Sequence, residues 1–243
     1  YGHISIWNTS LITNMTRLFV NKRNFNDNIN CWDVSNVTNM DEMFFGAHSF
    51  NQPLDSWNVT KVTTMVGIFY GANSFNQPLD SWNVSKVIDM QGMFSGAAAF
   101  NQDIGGWDVS SVTDMNFMFR FAEKFNQPLD SWEVSSVANM SGMFSDASSF
   151  NQPLDSWDVS NVTDMSNMFC GASSFNKPID SWNLSSVTQM DGMFDGASSY
   201  NKPIDSWGLS SLTHGWYVHE EWPFDKKKKK KEMLYGKMNK LHE

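Results

Sequence analysis

Between residues 54 and 75 the apolar positions are Leu54, Trp57, Val59, Val62, Met65, Ile68, Phe69, Ala72 and Phe75. Trp57 and Val59 are two apart, the period of a strand. The remaining steps suit helical or 3-10 turns. The pattern predicts one short strand over Ser-Trp-x-Val and a short helix over Met-x-x-Met-Phe, ending near Gly71 and Ala72. Gly71 suits a left-handed position at a helix end. Pro53 falls in an extended return, where no amide donor is wanted.

This pattern comes back every 25 residues. The string SFNQPLDSW occupies 49–57, 74–82 and 149–157. Tryptophan keeps the step from Trp7 through Trp32, Trp57, Trp82, Trp107, Trp132, Trp157 and Trp182 to Trp207. Phenylalanine does so from Phe25 to Phe175, with Tyr200 closing the series, and a second aromatic column runs from Phe19 to Phe194. An asparagine follows each member of the first column, as at Asn51, Asn76, Asn101, Asn126 and Asn151. A unit this short cannot bury a core alone, whereas stacked units cover one another. The expected fold is a repeat solenoid, with one short parallel strand and a short helix or 3-10 turn per coil. Like residues form ladders, tryptophans inward. The asparagines would bond their own coil and the next, satisfying groups that otherwise cost about 1–3 kcal/mol each. Residues 1–31 read as a degenerate N-terminal repeat or cap, 32–213 as the solenoid, 214–225 as an aromatic C-terminal cap and 226–243 as a lysine-rich tail.

Composition narrows the function classes. Apolar residues are 41% and aromatics 14%, too rich for a disordered chain. A formal net charge of −9 argues against nucleic acid as partner. No apolar run is long enough to span a bilayer, and no signal peptide or lipidation motif is visible. The chain opens in mid-pattern at Tyr1, as a fragment or processed product would. Cys31 and Cys170 stand several repeats apart and are expected to be buried free thiols.

The spacing Leu54-x-x-Trp57-x-Val59-x-x-Val62 resembles that of leucine-rich repeats, with Val62 in the asparagine place. Its continuation from Met65 to Phe75 is similar to the BspA-type variant. It is closer still to the 26-residue-class repeat of bacterial surface lipoproteins, a domain of unknown function known from mycoplasmas and Listeria. The stretch FNQPLDSWDVSNVTDMSNMF at 150–169 is near that family's consensus, and the resemblance covers residues 7 to 213. It implies a leucine-rich-repeat-like, parallel-sheet solenoid displayed at the cell surface or outside the cell. It implies no particular ligand.

Candidate chemistry is sparse. Of His3, His48, His214, His219 and His242, only His214 and His219 are close, beside Glu220 and Glu221, and their spacing fits no strong zinc signature. No nucleophile elbow or phosphate-cradling loop occurs. The expectation is a protein that is not an enzyme and holds no cofactor or metal. The column between the inward Trp and Val positions is more informative: Asp33, Asn58, Asn83, Asp108, Glu133, Asp158 and Asn183, flanked by Ser56, Ser81, Ser131, Ser156 and Ser181. With strands about 4.8 Å apart, Asp108, Glu133 and Asp158 would stack as like charges, offset by solvent, cations or a basic partner. The column reads as a solvated face, a partner-binding face or a calcium-type site. A threonine row from Thr13 to Thr213, interrupted at Ile88 and Ala138, reads as turn-forming or as an ice-binding row. Glycosylation sequons begin at Asn8, Asn14, Asn36, Asn58, Asn83, Asn139, Asn161 and Asn183. Trp216, Tyr217, Trp222 and Phe224 suit a lid over the last coil. Lys226 to Lys231 suit a solvated tail or a contact with an acidic surface. The functional expectation is a non-catalytic, surface-displayed recognition or adhesion protein that binds protein or glycan. The alternative is an architectural subunit of an extracellular assembly, joined to other copies of itself.

Overall fold

The computed structural model describes residues 3–204, 206 and 207. Within them the chain winds into 25-residue coils, each lying on the one before. The winding consists almost wholly of tight turns. In one coil Trp57 donates its amide to the Leu54 carbonyl, Val62 to Val59, Ile68 to Met65, Tyr70 to Gly67, Ala72 to Phe69 and Phe75 to Ala72. The interleaved amides cross to the next coil. Met65, Gly67, Phe69 and Gly71 donate to the carbonyls of Asp89, Gln91, Met93 and Ser95 at 2.7–3.2 Å. Alternate amides thus close a turn or join two coils, and buried backbone is satisfied without helix or extended sheet.

Two local expectations are corrected. Among the described residues no strand forms over Ser-Trp-x-Val. Trp57, Asn58 and Val59 do alternate inward, outward, inward, but turns close on both sides of them and leave no room for a ladder. Pairing between coils falls further along, in single parallel bridges that run Asn14, Asn39, Thr64, Asp89, Asp114, Asn139, Asp164, Gln189. The helix over Met-x-x-Met-Phe is absent too. Gly67 and Gly71 sit at φ 54 and 66, the left-handed corner that type II turns need at their third position. A right-handed helix cannot pass through two such corners. The one helical element among the described residues is a 3-10 turn at Ile4–Ile6.

The core is the set of ladders. Phe44, Phe69, Phe94, Phe119, Phe144 and Phe169 stack ring on ring at 5.6–5.7 Å. A second file from Phe50 to Phe175 keeps 5.9–6.1 Å. The tryptophans from Trp32 to Trp207 are buried. Each indole N–H reaches back to a carbonyl of the coil before, as Trp132 does to Ile104 at 3.1 Å and Trp157 to Leu129 at 2.9 Å. A large apolar body with a satisfied polar edge is what a buried indole needs. Trp7 departs from the expectation: it is 46% exposed, because no coil covers its outer side among the described residues. The asparagine row bonds neighbouring coils. The side-chain oxygens of Asn26, Asn51, Asn76, Asn101 and Asn126 each accept the amide of the next asparagine at 2.9 Å. Asn51 to Asn151 are half-buried, at the rim of the core.

Candidate functional site

The column from Asp33 through Asn58, Asn83, Asp108, Glu133 and Asp158 to Asn183 is exposed at every position. Its side chains are bound locally. The amide two residues on donates to the side-chain oxygen in each case: Ser35 to Asp33, Thr60 to Asn58, Ser85 to Asn83, Ser110 to Asp108, Ser135 to Glu133, Ser160 to Asp158 and Ser185 to Asn183. These are side-chain-capped turns, which Asn and Asp make best. Bonds from the hydroxyl and amide of Ser110 hold Asp108 below the ordinary carboxylate range, and Ser160 does the same for Asp158. Ser35 likewise lowers Asp33, helped a little by Lys61. The column is thus a regular row of exposed acids and amides, each oriented by its own turn.

A second column was not singled out from the sequence. The bridge residues Asp89, Asp114 and Asp164 are half-buried, and the same amide bond locks each of them, from Gln91, Asn116 and Ser166. Burial pushes the Asp114 carboxyl up; the Asn116 amide opposes this, Asp89 adds to the rise, and Asn139 and Asp164 contribute less. The folded chain therefore binds this proton more tightly than the unfolded one. Stability from the protonated group is present below the ordinary value of 3.8 and lost as pH rises through the raised one. Asp114→Asn removes the buried charge and keeps the turn, since asparagine fills this column at Asn14, Asn39 and Asn139. The expected result is a higher Tm at pH 7 and a gain that shrinks as the pH falls below about 4. A gain independent of pH would remove the charge as its cause.

Other candidate residues serve the winding. Thr38, Thr63, Thr113, Thr163 and Thr188 donate their hydroxyls to carbonyls of the preceding coil. Ser81, Ser131, Ser156 and Ser181 do the same. Among the sequons, Asn36, Asn139 and Asn161 spend their amide nitrogens on Ser10, Asp114 and Ser135. Asn8, Asn14, Asn58, Asn83 and Asn183 are exposed. Neither thiol is fully buried, contrary to expectation: Cys31 is exposed and Cys170 intermediate, its pKa raised by burial and then by Asp146 and Asp195. Among the described residues no three His, Cys, Asp or Glu side chains gather to hold a metal, and no helix is long and apolar enough to cross a membrane. His214, His219, the aromatic cap and the lysine tail lie outside the described residues.

The coil of residues 101–125 keeps the period but not the side chains of its neighbours. Its left-handed corners carry Phe117 and Phe121, at φ 54 and 56, where the next-but-one coil back has Gly67 and Gly71. The Arg120 guanidinium lies over both rings, 5.2 Å and 4.7 Å from their centroids. Sequence reasoning missed this cluster, although bulky residues in columns otherwise rich in glycine were there to be read.

Turns, ladders and bridges all recur at one fixed step, and this defines a repeat protein. The chain belongs to the family described as Mycoplasma protein of unknown function, DUF285, whose model matches residues 2–101, 78–162 and 147–229. The three stretches overlap, and each is longer than three coils. No curated protein and no solved structure matches the chain.

Proposed function

We propose that the chain is a non-catalytic recognition or adhesion protein, displayed outside the cell, that binds protein or glycan. In this reading it is a solenoid related to leucine-rich and bacterial surface-lipoprotein repeats, with turns and single bridges in place of strand and helix. The observation that carries the reading is the exposed column from Asp33 to Asn183, one oriented polar group per coil above a buried tryptophan wall. Because each group is already held by its turn, a ligand has little side-chain freedom to remove. Weak contacts at a fixed spacing then add through avidity. The test is a glycan and protein binding screen with the parent and with Asp108, Glu133 and Asp158 changed together to serine. Serine also closes such turns, so the variant should fold, and its binding to any hit should fall about tenfold or more. Binding equal to the parent's would take the site off this column.

One observation favours a second reading, an architectural subunit. Among the described residues the exposed Trp7 and Leu18 line one hollow with Ile4 and Phe25, an apolar surface of the kind that marks contacts between proteins. Native mass measured over a range of concentrations separates the two. A monomer throughout fits recognition, and growth with concentration fits assembly.

A further inference from the structure

The departure in the coil of residues 101–125 has the makings of a binding site. Phe117 and Phe121 occupy corners that are left-handed in every coil, where other coils place glycine or a polar residue; a phenyl ring there is uncommon. Phe121 is 42% exposed. Arg120 is fixed against both rings and makes no side-chain hydrogen bond among the described residues. The one ion pair there joins Arg17 and Glu42. Asp146, one coil on from Phe121, takes its bond from the Ser145 hydroxyl instead. In the column of Arg120, two coils back, Tyr70 is exposed and stacks on Phe45 at 4.5 Å.

Arg120 is therefore a planar cation, oriented in advance, with its donors unspent and apolar rings on either side. A guanidinium fork of this kind pairs with a carboxylate through two parallel bonds. Arginine with exposed aromatic rings is also the composition that dominates protein–protein contacts. We propose that Phe117, Arg120 and Phe121 dock an acidic peptide segment of a partner protein, with a carboxylate on Arg120 and a neighbouring apolar side chain on the rings. The proposal shares the recognition reading but not its site, which lies in the column from Asp33 to Asn183.

The experiment titrates the full chain with a fluorescent, end-capped peptide of sequence Glu-Phe-Asp-Phe-Glu, with a Lys-Phe-Lys-Phe-Lys control and an oligosaccharide of uronic acids. The acidic peptide should bind, more weakly at high salt, and the basic control should not. R120Q and F121G should each weaken binding about tenfold or more. Glycine fills the Phe121 column at Gly96 and Gly171, so F121G keeps the fold, which circular dichroism checks. The triple serine variant should bind this peptide as the parent does, which separates the patch from the polar column. No binding at millimolar peptide, equal binding by R120Q or F121G, or capture of the uronate instead of the peptide would each overturn the proposal.

Discussion

Trp132→Ala lowers the unfolding free energy by about 3–5 kcal/mol, the range for deleting a large buried aromatic. The indole is 3% exposed and stacks on Trp157 at 6.5 Å. It packs against Phe119 at 6.3 Å, and its N–H bonds the Ile104 carbonyl. Alanine leaves a cavity and takes away one of the two donors to the Ile104 carbonyl, which keeps the Trp107 amide. In a stack each coil touches only its neighbours, so the loss falls on two interfaces. Trp7→Ala should cost much less, because that ring is half in solvent and stacks on one aromatic ring among the described residues, Trp32. Urea unfolding of both variants decides the matter. If Trp132→Ala were as stable as the parent, the indole could not be part of the core.

The second large effect is at Gly142. Its φ is 58, and a β-carbon there would lie 2.5 Å from Phe117 Cε1. The left-handed conformation costs an alanine about 1–2 kcal/mol, and crowding the ring adds about 1–3 kcal/mol. Gly142→Ala should therefore lose about 2–5 kcal/mol in all. Gly106→Ala, where nothing lies within 4 Å, should change stability by less than about 1 kcal/mol. Adding Phe117→Gly to Gly142→Ala should restore the crowding part and leave the backbone part, a coupling that a double-mutant cycle reads directly. Equal losses at Gly142 and Gly106 would show that the ring yields freely.

The columns of the fold were legible in the sequence because an unbroken period puts like on like. Trp32 to Trp182 and Asn51 to Asn151 needed no knowledge of the path between them. The path itself was not legible. Spacings of three around Met65, Ile68 and Phe69 fit a helix and a chain of closed turns equally. The discriminating signal was the pair Gly67 and Gly71, two left-handed corners four residues apart. The in-out alternation at Trp57 and Val59 was right about burial and wrong about conformation, because a short link between turns alternates as a strand does. At the exposed column, Asp108 and Asp158 were expected to repel in a stack. The serines two positions on, Ser110 and Ser160, hold and ionise them locally. The Asn-x-Ser/Thr triplets read as sequons are, at Asn8, Asn58, Asn83 and Asn183, the same turn motif. Phe117 and Phe121 escaped notice because nothing marks them by type. They stand out only against the glycines of their columns.

The bonds between coils run both ways, in separate rows: the amides of Thr63 and Ser74 donate back to Thr38 and His48 of the preceding coil. Each coil hands its amides at the bridge and turns to carbonyls of the following coil, as Met65 and Gly67 do to Asp89 and Gln91. The winding therefore has polarity: a coil's face toward its successor differs from its face toward its predecessor. Any end-on joining that prolongs the bonding runs head to tail, and such contacts propagate into rings or filaments instead of stopping at a symmetric pair.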